Sequence, residues 1–286
     1  MAAGLFLATC PPAALAQCKV VQLAELPVTM ENGRPVIGAK INGADVRLML
    51  DSGAFWSVIS YAKADELKLA LAPLPYGSSI KGVAGDAKAK LARVETFTLA
   101  NTPLKNVDFL VTSGSGALAG MLGQNILSLM DIEYDFPHGF VRFFHVEKCG
   151  DKALAYWSAG RPFSKVDLPR ASGLRQSTET DVFVNGKHVK AIIDTGAGTV
   201  IDRQAAIRAG INMAGPDVVP GGSIYGIGSG SKPSWLATVT SFKIGAEEVK
   251  NAKLRIADLP TGHDMLIGSD FLVSHRMFVS NSQSKT

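Results

Sequence analysis

Leu48-Met49-Leu50-Asp51-Ser52-Gly53-Ala54 is echoed by Ala191-Ile192-Ile193-Asp194-Thr195-Gly196-Ala197 in the same chain. The two Asp residues lie 194 − 51 = 143 positions apart. A single Asp-Ser/Thr-Gly triplet is a common turn sequence. Two of them, each ending an apolar run that fits a strand buried on both faces, suggest two carboxylates brought together to share one proton. The same offset carries Ile41-Asn42-Gly43 onto Val184-Asn185-Gly186, Val46 onto Val189 and Val58 onto Ile201. Asn-Gly between apolar runs reads as a two-residue hairpin turn, because both turn positions need positive φ. Each repeat therefore reads as strand, tight turn, strand, then triplet.

The repeat continues with a small drift. Ile80, Gly82 and Val83 match Ile224, Gly226 and Ile227 at an offset of 144, and Leu122-Gly123-Gln124-Asn125 matches Ile267-Gly268-Ser269-Asp270 at 145. Two added residues account for it, and an internal duplication decides the architecture. Short helices are expected after each triplet, over residues 60–68 with a Ser cap and over 202–209 ended by Gly210, and another over 125–130. Glycine-containing hairpins are expected over 78–86 and 224–230, strands near 89–99 and 104–112, and a hairpin from 131–136 to 140–145 through Pro137-His138-Gly139. The expected organisation is a leader at 1–16, an N-terminal lobe at 17–148, a linker at 149–164 and a C-terminal lobe at 165–286. The last of these reads as shortened at its final strand, with Met277-Phe278-Val279 followed by a turn.

With 286 residues, 47% hydrophobic and 19% charged, the chain has length and composition for a sizeable globular core. Twenty-nine Gly and 14 Pro between short β-branched runs point to mainly β structure. The net charge of +4 is mild and the Lys and Arg are scattered, which argues against nucleic-acid binding. The apolar start ending in Ala14-Leu15-Ala16 matches the pattern before a signal-peptidase cut, so export to a periplasm or medium is expected. Pro11-Pro12 and the short length argue against a membrane span. Cleavage would remove Cys10 and leave Cys18 and Cys149. Two cysteines in an exported chain more often pair than stay free, and a Cys18–Cys149 bridge would staple the ends of the first repeat. The alternative is two unpaired buried thiols.

Two carboxylates held about 3 Å apart cannot both ionise, so one proton is shared and the pair titrates as a unit. The ionised member can take a proton from a water between them while the protonated one polarises a carbonyl, which hydrolyses a peptide bond without metal or covalent intermediate. Gly53 and Gly196 would permit the tight turn and close backbone approach, and the hydroxyls of Ser52 and Thr195 can bond across the two loops. The glycine-rich hairpins could fold over a bound peptide.

The pattern resembles the aspartic proteases of the retropepsin and pepsin type, specifically bacterial exported proteins with two retropepsin-like repeats. The motif of apolar-apolar-Asp-Ser/Thr-Gly-Ala followed by apolar-apolar-Gly-x-Asn/Asp occurs twice, its second halves being Met121-Leu122-Gly123-Gln124-Asn125 and Leu266-Ile267-Gly268-Ser269-Asp270. The resemblance implies a two-lobe, pseudo-twofold acid-protease fold, Asp51 and Asp194 as the dyad, a grip between Ser52 and Thr195, and glycine segments that pass behind the catalytic loops. The chain departs from the family pattern at Phe55 and Gly198, where members often carry Ser, Thr or Asp. Tyr225-Gly226-Ile227 resembles the tyrosine flap of pepsin-like members, with Lys81-Gly82-Val83 as its partner in the first repeat; an ordinary exposed hairpin Tyr is the alternative.

Other polar residues read as structural. Asn125 and Asp270 are expected to cap the helices that follow them. Asp131, Asp135, Asp181 and Asp202 are expected at the surface or as caps, and Trp56 in the core. The His residues share no metal-ligand spacing, and the Gly-x-Gly after Gly221 lacks a following Lys-Ser/Thr, so neither metal nor cofactor is expected. The sequence thus points to a monomeric aspartic endopeptidase that binds an extended peptide or protein. Its rivals are a non-catalytic peptide-binding scaffold on the same fold, against which both Asp-x-Gly units stand, and a homodimer-interface site, against which the duplication stands.

Overall fold

The duplication is realised as two six-strand β-barrels with one topology. The computed structural model describes residues 18–75, 80–82, 85–114, 117–150, 152–168, 177–226, 230–259 and 262–282. The expected leader at 1–16, with Cys10, lies outside the described residues. In the first barrel, β1 (Arg34–Ile41) and β2 (Ala44–Leu50) pair antiparallel in register Val36↔Met49 through Ile41↔Ala44. They turn at Asn42 and Gly43, with φ of +48° and +88°, as an Asn-Gly hairpin requires. The barrel adds β3 (Val58–Ser60), β4 (Ala89–Leu99), β5 (Thr102–Thr112) and β6 (Gly120–Leu122) in the order β1-β2-β6-β3-β5-β4. It closes where β4 returns to β1 through Ile41↔Phe97.

The second barrel repeats this strand for strand with β7 (Glu179–Val184), β8 (Lys187–Ile193), β9 (Val200–Asp202), β10 (Lys232–Ile244), β11 (Glu247–Ala257) and β12 (Met265–Ile267). Its order is β7-β8-β12-β9-β11-β10, closed by Val184↔Phe242, and its first turn has φ of +50° and +73° at Asn185 and Gly186. Short outer strands extend the sheets beyond the closed barrels, Thr29–Glu31 and Leu71–Pro73 in the first and Val219–Ile224 in the second. Ile37, Ile41, Leu48, Leu50, Ile59, Phe97, Phe109 and Leu122 fill the first barrel, each at most 1% exposed. Val182, Val184, Ile201, Ile256, Met265 and Ile267 fill the second with no measurable exposure. Burying each such side chain contributes roughly 1.5–3 kcal/mol.

The short helices stand where the sequence expects them. Tyr61–Glu66 is capped by Ser60, whose hydroxyl accepts from Lys63 N at 3.2 Å, and Arg203–Arg208 by Asp202, which accepts from Gln204 N at 2.9 Å. Of the next pair, Gln124–Leu127 is shorter than the expected 125–130, and Ser269–Leu272 is its counterpart. One detail of the repeat is corrected. Val58 pairs with Leu110 as Val200 pairs with Arg255, so the structural match of Val58 is Val200, not Ile201. The first triplet loop holds one residue more than the second.

A four-stranded antiparallel sheet lies beneath the barrels, in the order Lys19–Pro27, Phe140–Glu147, Asp131–Asp135, Arg276–Val279. Three strands come from the first repeat and the outer one from the second. Glu133 pairs with Phe278, and these two are 278 − 133 = 145 apart, the offset of the Leu/Ile-Gly segments. The pseudo-twofold axis therefore runs through that pair. Cys18 is bonded to Cys149 at one end of this sheet. Asp181 pairs with His188 at the surface, as expected.

Asp131 and Asp135, expected at the surface or as caps, are instead 2% and 1% exposed. Asp131 accepts from Val146 N at 3.1 Å, Ser282 N at 2.9 Å and the Ser280 hydroxyl at 3.0 Å. Asp135 and the buried Glu133 share Arg142 and Arg276, with Arg142 at 2.6 Å from Glu133 and 2.8 Å from Asp135. Burial alone would raise the Asp135 carboxyl; hydrogen bonds from Arg142 and His138 and the charge of Arg276 hold it below its ordinary value. Buried charges persist only when paired in this way. Among the described residues, no helix is long and apolar enough to cross a membrane.

Candidate active site

β2 and β8 end at Leu50 and Ile193, and both chains turn at once into their triplets. Each turn is held from within by its own carboxylate. Asp51 Oδ1 accepts from Gly53 N at 3.1 Å and Ala54 N at 2.8 Å, and Asp194 Oδ1 accepts from Gly196 N at 3.0 Å. The loops are then locked to each other by four reciprocal bonds. Ser52 N donates to Thr195 Oγ1 at 2.9 Å and Thr195 N to Ser52 Oγ at 3.0 Å. The Ser52 hydroxyl donates to Ile193 O and the Thr195 hydroxyl to Leu50 O, both at 2.7 Å.

Because the loops cross so closely, each glycine faces the opposite carboxylate. A Cβ on Gly53 would stand 2.2 Å from Cγ of Asp194, and one on Gly196 would stand 2.4 Å from Cγ of Asp51. No side chain fits at either position. The carboxylates meet over the axis, each 9% exposed. Burial raises both carboxyls above their ordinary value, and the negative charge of Asp51 lifts Asp194 well above it. On Asp51 the donors at Ala54 and Gly53, with the more distant charge of Arg34, work against burial. The pair thus titrates as a unit that gives up one proton and keeps the other.

The Leu/Ile-Gly segments support both loops from behind. A Cβ on Gly123 would meet the backbone of Trp56 at 2.7 Å, and one on Gly268 that of Gly198 at 2.3 Å. Gln124 N and Ser269 N donate to Ala54 O and Ala197 O at 2.9 and 2.8 Å. Asn125 and Asp270, expected as helix caps, do other work. The two helices begin at Gly123 and Gly268 with no side-chain cap bond. Asn125 Oδ1 instead accepts from Ser57 N and its hydroxyl at 2.8 Å each, and Asp270 Oδ1 from Thr199 N and its hydroxyl at 2.8 and 2.6 Å. Ser57 and Thr199 in turn receive Gly123 N and Gly268 N at 2.9 Å. Sequence reading missed Ser57 and Thr199. Matching the strands after the triplets at an offset of 142 would have paired them.

Trp56, expected in the core, is only partly buried and meets Phe55 edge to face with centroids 5.6 Å apart. The extra residue of this loop pushes the aromatic pair outward. Of the flap residues, Lys81 and Gly82 lie in a strand, Ile80–Gly82, that pairs with Gly85–Ala87 through Gly82↔Gly85. Tyr225 and Gly226 follow the strand Val219–Ile224, and the Tyr225 ring is 69% exposed. Val83 and Ile227 lie outside the described residues. Among the described residues no cluster of His, Cys, Asp and Glu could hold a metal ion.

A family model described as aspartyl protease matches residues 37–126 and 180–271, one barrel each. No curated protein matches the chain. Among solved structures, a retropepsin-like aspartic protease from Rickettsia conorii is 17% identical with a TM-score of 0.33, over 46% of this chain and 95% of that one. The EIAV protease, complexed with the inhibitor HBY-793, is 29% identical with a TM-score of 0.28, over 33% of this chain and 85% of that one.

Proposed function

This chain belongs to the aspartyl protease family, and on that premise we propose that it is an endopeptidase whose catalytic dyad is Asp51 and Asp194, one from each lobe. The reciprocal seating of each carboxylate against the opposite lobe's triplet glycine is the observation that carries this reading. A water held between the carboxylates loses a proton to the ionised member and attacks the scissile carbonyl. The protonated member donates to the carbonyl oxygen as it becomes tetrahedral, and the proton taken from water passes to the leaving amine. Ser52 and Thr195 keep the carboxylates in register but do not touch the substrate.

The lobes in this reading are residues 17–148 and 165–286, joined by 149–164, in a pseudo-symmetric monomer. The hairpins at Lys81-Gly82-Val83 and Tyr225-Gly226-Ile227 close over an extended peptide, whose backbone they bond and whose alternate side chains enter pockets on either side. The Cys18–Cys149 bond fits an exported protein.

The test is cleavage of a peptide library over a range of pH by the unaltered protein and by Asp51→Asn and Asp194→Asn. Cleavage by the first and loss in both variants, with fold retained by circular dichroism, is the expected result. Peptide binding without cleavage would instead assign a scaffold on this fold.

A further inference from the structure

Arg34 stands at the seam between the lobes with no acidic partner among the described residues. It follows the turn Asn32-Gly33, with φ of +51° and +76°, and opposes Glu31 across that turn. The Glu31 carboxylate is already engaged by Arg47. Among the described residues no carboxylate lies within salt-bridge reach of Arg34, and its side chain makes a loose hydrogen bond from Nη1 to Met49 Sδ at 3.9 Å. The side chain is exposed. Its place is nevertheless fixed, because the Ser269 hydroxyl donates to Gly33 O and Ser269 N donates to Ala197 O at 2.8 Å. The turn that carries Arg34 is thereby tied to the second triplet loop. Next in that loop is Gly198, and a Cβ placed there would meet nothing within 4 Å. Arg34 is also near enough to the dyad for its charge to be felt at Asp51.

Among the described residues, the pseudo-twofold axis gives this cation no counterpart. The offset of 143 carries Arg34 onto Ser177, whose hydroxyl is bonded to Glu179 at 3.1 Å. On the other flank the first triplet loop presents Phe55 and Trp56. A twofold-symmetric cleft would accept an extended peptide equally well in either direction, whereas one flank here carries a cation beside open space and the other an aromatic pair. We infer that Arg34 forms a subsite for a peptide carboxylate on one side of the dyad, and that this charge sets the direction in which the substrate lies. The carboxylate is an acidic side chain or the substrate's own C-terminus. The inference rests on the peptidase reading above.

Peptides that differ only by Glu, Gln or Lys at each position around the cleaved bond, each as free acid and as C-terminal amide, test it on the intact chain with Arg34→Gln and Arg34→Glu. The unaltered protein is expected to favour a carboxylate at one position by about fivefold in kcat/KM, the scale of a half-exposed ion pair. The preference resides mainly in KM and shrinks as ionic strength rises. Arg34→Gln removes it at an unchanged thermal midpoint, and Arg34→Glu turns it toward Lys. A preference that survives in the amides assigns the side chain, and one confined to free acids assigns the C-terminus. Cleavage with no carboxylate preference, or with one that survives Arg34→Gln, overturns the inference and leaves the peptidase reading intact. No cleavage of any peptide by the unaltered protein overturns both.

Discussion

The two triplet loops differ by one residue, and that residue falls between parts that otherwise match bond for bond. Asp51 and Asp194, Ser52 and Thr195, Gly53 and Gly196 are interchangeable in geometry, as are the braces Ser57–Asn125 and Thr199–Asp270. Between them the first loop carries Phe55-Trp56 and the second only Gly198. The comparison separates two jobs. Residues that assemble the carboxylates are held to the twofold axis, while those that face the cleft are free to differ. Cross-linking follows the same division, since the bond between Cys18 and Cys149 ties the ends of the first repeat and no second disulfide occurs among the described residues.

The comparison breaks most sharply at the dyad. Asp51→Asn and Asp194→Asn should each cost about 10⁴-fold in kcat/KM, near the upper range for an acid–base group. A variant that retains substantial turnover would show that the carboxylates do not act as a pair. Cys149→Ser should cost about 4 kcal/mol in chemical denaturation, since the bond joins residues 131 apart. If the loss falls on both lobes as one transition, they unfold together. Gly53→Ala and Gly196→Ala should each lower kcat/KM by about 10²-fold, the cost of misplacing a reacting group. Equal losses support the symmetry, and a mild effect at one glycine would locate slack in that loop. Ser52→Ala and Thr195→Ala each remove two buried hydrogen bonds and should each cost about 2 kcal/mol of stability. No bond is removed by both variants, so any departure of the double variant from the sum measures how far the two loops relax together.

The smallest effect concerns pH. The Asp194 carboxyl is raised well above its ordinary value by burial and by Asp51. Its contribution to stability is complete below the unfolded value and is lost as pH rises through the folded one. Removing either carboxylate, by Asp194→Asn or Asp51→Asn, relieves that dependence, so the thermal midpoint of either variant should gain on the unaltered protein between acidic and neutral pH.

What could be read in the chain followed from local chemistry. Asn42-Gly43 and Asn185-Gly186 announce their turns because few residues tolerate two consecutive positive φ angles. The triplets announce that their two loops belong together because they recur. What could not be read depended on distant strands. Asp131 and Asp135 look like surface residues until Arg276–Val279 pairs beside them, Ser280 and Ser282 bond Asp131, and Arg142 and Arg276 close over Asp135. Asn125 and Asp270 sit at helix starts, yet their oxygens turn to hydroxyls 68 and 71 residues earlier. Trp56 is large and apolar and next to a core strand, but the extra residue in its loop carries it outward.

The strand Arg276–Val279 also sets a clock on synthesis. The barrel that presents Asp51 draws Ile193, Leu272 and Val279 into its own core cluster, and the sheet beneath it gains its outer strand only when residue 276 has been made. From Asp51 that is a wait of 276 − 51 = 225 residues, or roughly 10–45 s at usual elongation rates. During that interval the first lobe lacks both the second carboxylate and part of the floor that carries it. The pair of carboxylates therefore comes into being only with the completed fold, and on the proposed reading a nascent chain has no means of cutting its neighbours on the ribosome.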